Sequence, residues 1–537
     1  MYSAAFRWIF LAFCLSWATG CASLPANASR PASRAFEAPE QTALGQLAIA
    51  RRGNARSDSG FHLLDSVDIA LTSRLALVER AQRTLDLQYY AIHADASTEV
   101  LLQRIRKAAQ RGVRVRILLD DFNSVGEDAQ VLRMAFEPNI ELRLFNPLPG
   151  SRGSMLTRLV GSLHDVERVQ KRMHNKLFIA DNAWGIAGGR NLGDRYFGGG
   201  DKQNFVDLDV LAAGRIVRDM STSFDRYWND ELAYPVESLL SKEDLDRLRK
   251  PESPLQPVAA TGSTVLPGVT PAEAAQTDRP AMDLARVELA WAPAILLADQ
   301  PGKIGPGDDE VNAGETVVDG LLTLMSQARR DVLIVSPYFV PGTRMLAVFE
   351  QLRKRNVRIR VLTNSLASND APAAHAGYAR YRDRLLGLGL EIHEMRAAPE
   401  TAAGLGSGTG SATRSIAGSG PGGSKSGTSR ASLHSKAVII DGYLSIIGSM
   451  NLDLRSQLKN SEVALLIRGP AIAQQAIRQV EATIATDAYR LEKGALGYVW
   501  RAPPGAPFKD SHGEPEASVK QKLLVNLIGP FAPDEML

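Results

Sequence analysis

Hydrophobic and polar positions along the chain alternate between two periods. Apolar residues return at helical spacing over residues 66–82 and 98–110, whereas 84–90 (TLDLQYY) and 113–119 (VRVRILL) alternate at the period of a strand. The same order recurs later, with helical spacing at 315–328 and 343–355 and strand patterns at 331–338 (DVLIVSPY) and 357–362 (VRIRVL). RGVRVRILLDD and RNVRIRVLTNS are one element written twice. Strands alternating with helices predict an α/β fold in which each unit is a mainly parallel sheet flanked by helices. The duplication predicts two such halves packed as a pseudo-twofold dimer.

Breaks in the pattern divide the chain. Residues 61–245 form the expected first half and 286–500 the second, with a Pro/Ala-rich linker at 246–285 and a tail at 501–537. Residues 29–60, rich in Ala, Pro and Arg, read as a polar linker. Residues 398–430 are a Gly/Ser-rich insertion without apolar periodicity, expected to be disordered and ending four residues before His434. Within the tail, VKQKLLVNLI (519–528) is a short apolar segment with lysines at its start, suited either to a membrane interface or to packing on the body.

The two halves also share a chemical motif. HNKLFIADNAWGIAGGRN (174–191) and HSKAVIIDGYLSIIGSMN (434–451) keep histidine, lysine, aspartate, glycine and asparagine at the same spacing through eighteen residues. In an extended chain His174 and Lys176 share a face, as do His434 and Lys436, so each copy presents an imidazole beside an ammonium. If the halves pack about a twofold axis, the pairs converge, and their chemistry suits displacement at a phosphodiester. One neutral histidine attacks phosphorus, the other protonates the departing oxygen, and the lysines balance phosphoryl charge. Asn191, Ser449 and Asn451 are candidate hydrogen-bond donors to the phosphate or supports for it. Asp181 and Asp441 lie seven positions beyond their histidines, which puts them on the opposite face and favours a turn or ion-pair role. Asp207 in NFVDLDVLAAG and Glu462 in NSEVALLIRG, at equivalent places after each copy, are better candidates for orienting the imidazoles. Histidines spaced with lysines, rather than with carboxylates or cysteines, imply no metal and no cofactor.

These residues resemble the phospholipase D superfamily, whose signature HxKxxxxD followed by G-x-x-N stands twice in the chain and whose likeness spans about residues 60–500. The resemblance implies that His174, Lys176, Asp181, His434, Lys436 and Asp441 form the catalytic set. It also implies that the N-terminal histidine, His174, is the nucleophile and His434 the acid/base, a choice the residues by themselves leave open. Gly189 departs from the hydroxyl residue found at Ser449. LDLQYY, RRMHNKLFIADN, GGRNLGDRYF and VLTNSLASNDAPAAHAGYARYR resemble the bacterial cardiolipin synthases of the C type. That likeness implies transfer of a phosphatidyl group through a phosphohistidine to phosphatidylglycerol, with phosphatidylethanolamine as donor, at a membrane surface; an accessory protein is a further candidate partner. It also makes His375, Tyr378 and Arg380 candidates for headgroup contact.

Charge and cysteine usage narrow the setting. With 62 Lys and Arg against 59 Asp and Glu, the net charge of +3 lacks the basic footprint of a nucleic-acid binder, so no nucleic acid is expected as partner. A periplasmic nuclease is thereby a weaker alternative, beside hydrolysis of phospholipids to phosphatidic acid and a non-enzymatic lipid-anchored scaffold. Arg7 followed by the apolar run 8–17 reads as an export signal within residues 1–28, cleaved before Cys21 or after Ala28. Cys21, after ATG, is a candidate lipidation site. The expected location is a bacterial envelope membrane, facing the periplasm. Both cysteines, Cys14 and Cys21, precede the folded body, which therefore holds no disulfide of its own.

Overall fold

The computed structural model describes residues 30–150, 165–198, 204–240, 242–249, 279–305, 316–397 and 431–529, with short pieces at 24–25 and within 151–164. The helices and strands expected from periodicity form close to their expected bounds. Ser66 caps helix Val67–Arg80 and Asp95 caps helix Ala96–Gln110, each accepting a hydrogen bond from the third helical backbone N–H. Thr316 and Asp319 make a capping box at the start of helix Val317–Ser326.

Each half is built on a nine-stranded sheet. In the first, strands Thr84–Tyr89, Arg114–Asp120 and Ile140–Phe145 run parallel. Strand Leu177–Ala180 then adds antiparallel to Thr84–Tyr89, followed by Trp184–Gly188, Asp209–Gly214 and Ser59–Leu64, all antiparallel. The second half repeats this plan. Asp331–Val335, Arg358–Asn364 and Glu391–Met395 are parallel, and Ala437–Ile440, Leu444–Gly448, Val463–Arg468 and Ala294–Ala298 extend the sheet antiparallel. The sheets are therefore mixed rather than mainly parallel. The reason is local: the strands carrying the motif are joined by a tight turn at residues 181–183 or 441–443, and such a turn permits only a hairpin.

A shared core joins the halves. Phe61, Leu118, Leu177 and Ile179 of the first sheet and Leu333, Leu362, Ile439 and Leu465 of the second belong to one buried apolar cluster, with separate clusters on the outer faces. Helix Arg215–Trp228 buries Ile216, Val217, Met220, Phe224, Tyr227 and Trp228, and Tyr227 donates from its hydroxyl to the Asp299 carbonyl in the other half (2.9 Å). An apolar layer between two sheets cannot be opened without exposing both faces, which holds the halves in one orientation.

Several expected boundaries shift. Residues 30–60 are not a linker: Arg30 donates to the carbonyls of Asn229 and Asp230, and helix Ala43–Arg52 buries Leu44 and Ala48 against the first half. Arginine and alanine in this stretch serve docking, which composition alone does not distinguish from solvation. Strand Ala290–Trp291 pairs with Ser59–Leu64 in the first sheet, so the crossing to the second half falls at residues 292–293, after the expected boundary at 286. The tail also joins the body, since Ser511 pairs with Trp500 and Glu514 makes an ion pair with Arg382. The insertion 398–430, Cys21 and most of the export signal lie outside the described residues, as does most of the 246–285 linker.

Candidate active site

Two short parallel strand pairs bring the motif copies together. Arg172–Met173 pairs with Asn460–Ser461, and Asn204–Val206 pairs with Ala431–Leu433, each pair linking one half to the other. His174 N donates to the Ser461 carbonyl and His434 N to the Val206 carbonyl, both at 2.9 Å. The next residue on each partner strand is the carboxylate that meets the ring. His174 Nδ1 donates to Glu462 Oε2 at 2.9 Å, and His434 Nδ1 donates to Asp207 Oδ2 at 2.6 Å. Each imidazole is thus oriented by the opposite half, so neither half holds a complete site.

With Nδ1 engaged by a carboxylate, Nε2 is the atom of each ring left for chemistry. Both histidines and both lysines are buried. Lys176 Nζ donates to the His174 carbonyl (2.8 Å) and lies 5.5 Å from the Tyr90 ring centroid; Lys436 Nζ donates to the His434 carbonyl. Burial, opposed by nearby Glu462 and Asp207, lowers the lysines to about 7 and about 8. Burial is the leading cause, so an anionic phosphate bound between the lysines would favour their charged forms.

The two dyads differ. Burial raises Glu462 to about 7 despite Lys176 and a 2.5 Å hydrogen bond from Ser449 Oγ. Asp207 is buried as deeply, yet His434, Lys436 and Arg190 outweigh that burial and hold it at about 2. Burial together with Lys176, Lys436 and His434 drives His174 well below its ordinary range. Burial and Lys436 lower His434 as well, but Asp207 opposes the change. His174 is therefore the ring more strongly held neutral and His434 the ring with a firm counter-charge.

The departure at Gly189 has a steric cause. A Cβ there would stand 2.5 Å from Asp207 Oδ1, so the shorter carboxylate occupies the space that Ser449 fills beside Glu462. Ser449 spends its hydroxyl on Glu462 and supports the site through it, rather than standing free for phosphate. Asn191 donates to the Tyr196 hydroxyl (3.0 Å) and accepts from Ala91 N (3.3 Å), while Asn451 Oδ1 is buried with no hydrogen-bond partner among the described residues.

Asp181 and Asp441 do not stand with the catalytic set. Each occupies a left-handed turn position, φ 52° and 55°, at the far end of its motif strand. Asp181 accepts from the backbone N–H groups of Gln82, Arg83 and Thr84, and Asp441 from those of Arg329, Arg330 and Asp331. They fix the start of the neighbouring parallel strand, consistent with the odd separation from the histidines. His375 and Tyr378 are buried in a polar network with Arg382, Glu394 and Glu514, not exposed to a headgroup, and Arg380 donates to the Gly529 carbonyl.

Sequence reasoning missed the aromatic walls. Tyr90 meets His174 edge-on at 5.1 Å and Tyr196 meets His434 edge-on at 5.3 Å. It also missed Asp299, which accepts from Glu462 N (2.9 Å) and is paired with Lys303 (2.7 Å). Tyr90 and Tyr196 sit inside the family-like segments LDLQYY and GGRNLGDRYF, but nothing in their spacing separates a site tyrosine from a core one.

The cardiolipin synthase, phospholipase D-like domain matches residues 75–228 and 321–484, one match on each half. The chain belongs to that family. It is 36% identical over 417 residues to cardiolipin synthase C of Escherichia coli K12, covering 77% of this chain and 82% of that one. Cardiolipin synthase B of Salmonella typhi is 21% identical over 82% of this chain and 84% of its own. The solved phosphatidylserine synthase of Haemophilus influenzae shares the fold, with a TM-score of 0.52 at 15% identity over 83% of this chain and 92% of that one. The protein is a phosphatidyltransferase of the phospholipase D superfamily acting on phospholipids. Among the described residues no group of three His, Cys, Asp or Glu side chains is arranged to hold a metal ion, and no helix is long and apolar enough to cross a membrane.

Proposed function

We propose that the protein makes cardiolipin by passing a phosphatidyl group from one phospholipid to phosphatidylglycerol through a phosphohistidine. The observation that carries the mechanism is the pair of histidine–carboxylate dyads assembled across the halves, one pairing a strongly neutral imidazole and the other holding a firm counter-charge. His174 Nε2 attacks phosphorus, the bond from phosphorus to the departing headgroup oxygen breaks, and His434 gives that oxygen a proton. The acceptor hydroxyl then attacks phosphorus, the phosphorus–nitrogen bond breaks, and His434 takes the hydroxyl proton. Lys176 and Lys436, with the Asn191 and Asn451 amides nearby, stabilise the negative oxygens of each transition state.

Similarity to cardiolipin synthase C supports phosphatidylethanolamine as donor and phosphatidylglycerol as acceptor, with an accessory protein as a further partner. The export signal supports action at the periplasmic face of an envelope membrane, anchored through Cys21. The test incubates purified protein with labelled phosphatidylethanolamine and phosphatidylglycerol in mixed vesicles and follows the lipids by mass spectrometry. Cardiolipin is expected with wild type and not with His174→Ala or His434→Ala. Phosphatidic acid as the sole product would replace synthesis by hydrolysis.

A further inference from the structure

The helix Val519–Ile528 turns two faces to two environments. Gln521, Val525 and Ile528, at positions i, i+4 and i+7, face the body, and Gln521 is buried with Nε2 donating to the Leu366 carbonyl (3.3 Å). Gly529 N closes the helix on the Val525 carbonyl, and Arg380 holds the Gly529 carbonyl at 3.1 Å. Val519, Leu523 and Leu527, at i, i+4 and i+8, form a stripe on the outer side and are 84%, 68% and 66% exposed. Lys520 and Lys522 lie on either side of this stripe by helical geometry. A docked surface helix would ordinarily turn polar residues outward; this one turns leucines outward between two cations.

Its position gives the stripe a use. Leu366 belongs to the loop after strand Arg358–Asn364, and this segment holds the strand that leads into His434. Asn364 clamps Leu433, accepting from its N–H (3.0 Å) and donating to its carbonyl (2.9 Å), and Ser368 accepts from Ser432 Oγ (2.7 Å). Leu433 and Ser432 immediately precede His434. The leucine stripe therefore stands one loop away from the acid/base histidine, at the end of the sheet where the motif histidines lie. The opposite end carries the Asp181 and Asp441 turns.

We propose that this helix is the membrane-docking element of the enzyme. Val519, Leu523 and Leu527 enter the acyl boundary of a phospholipid bilayer while Lys520 and Lys522 meet its anionic headgroups, which brings the loop leading to His434 against lipid. The inference deepens the membrane reading above by naming the face that docks, and it is independent of any tether at the N-terminus.

The experiment uses the full chain with Cys14→Ser and Cys21→Ser, carrying an environment-sensitive thiol dye at Leu523→Cys or, as control, at Ile49→Cys. Ile49 is also apolar and exposed (56%), but it lies on the helix packed at the Asp181 end through Leu44 and Trp184. Vesicles of phosphatidylethanolamine and brominated phosphatidylglycerol are expected to quench the dye at 523 and leave it bright at 49. Equal quenching at both sites, no quenching at 523 on vesicle-bound protein, or no vesicle binding would each overturn the proposal. In parallel, Leu523→Glu/Leu527→Glu is expected to lower turnover on vesicles by about tenfold or more while leaving turnover of short-chain, monomeric phosphatidylethanolamine with phosphatidylglycerol unchanged. Equal turnover on vesicles would also overturn it. Absence of turnover on the soluble lipid in wild type would count against the transferase reading alone, because the quenching measurement requires no reaction.

Discussion

Replacing Asp207 with asparagine removes the counter-charge of one histidine while keeping its shape. Asp207 is fully buried and is held at about 2 instead of 3.8, although burial acts in the opposite direction. A buried hydrogen bond of 2.6 Å to a charged partner is worth roughly 1.5–3 kcal/mol, or about 10- to 100-fold in the population of protonated His434 at fixed pH. If His434 is the general acid, Asp207→Asn should lower the rate of phosphatidyl transfer from a natural phospholipid by at least that factor. The asparagine amide can also donate to Nδ1, which would hold the ring neutral and deepen the loss to roughly 10³- to 10⁴-fold. A substrate that needs no acid separates the roles. With a phosphatidyl ester of p-nitrophenol, the departing phenolate leaves unprotonated, so stopped-flow absorbance reads nucleophilic attack alone. Asp207→Asn and His434→Ala should keep a burst of p-nitrophenolate close to one per enzyme, while Glu462→Gln and His174→Ala should lose it. The reverse pattern, with the burst lost in Asp207→Asn and kept in Glu462→Gln, would refute the assignment.

Other substitutions read other parts of the site. Asp181→Ala leaves three backbone N–H groups without their acceptor in a buried turn and should reduce unfolding free energy by roughly 2–5 kcal/mol in urea titration. Asp441→Ala should cost less because its turn is partly exposed, and loss of activity at unchanged stability in either variant would restore a catalytic role. Gly189→Ser would set a Cβ 2.5 Å from Asp207 Oδ1, so it should displace the His434 carboxylate and behave like Asp207→Asn in the p-nitrophenol assay; wild-type turnover would show that the carboxylate has room to move. Because Lys176 and Lys436 are lowered to about 7 and about 8, their charged forms are disfavoured by the fold and are lost as pH rises through those values. The rate at low substrate should therefore fall between about pH 7 and pH 9, and bound phosphate analogue should move that limb upward. A flat profile to pH 9 would contradict it.

Much of this was written in the chain. The duplicated order of helix and strand follows from periodicity, because amphipathic spacing decides which segments bury a face before any tertiary contact forms. The histidine–lysine pairs were legible for the same reason, since fixed spacing in an extended chain puts both side chains on one face. The odd seven-residue step equally removed Asp181 and Asp441 from that face. Local pattern could not say which carboxylate serves which histidine. Asp207 and Glu462 follow their own motif copies in sequence, yet each crosses to the other half, because strand pairs Asn204–Val206 with Ala431–Leu433 and Arg172–Met173 with Asn460–Ser461 exchange partners across the twofold. The difference between the dyads is likewise tertiary. It depends on which cations surround each equally buried carboxylate, an arrangement that exists only once the sheets close on their common core. Residues 30–60 make the same point in reverse: their composition describes a linker, and only the surface they meet turns them into part of the fold.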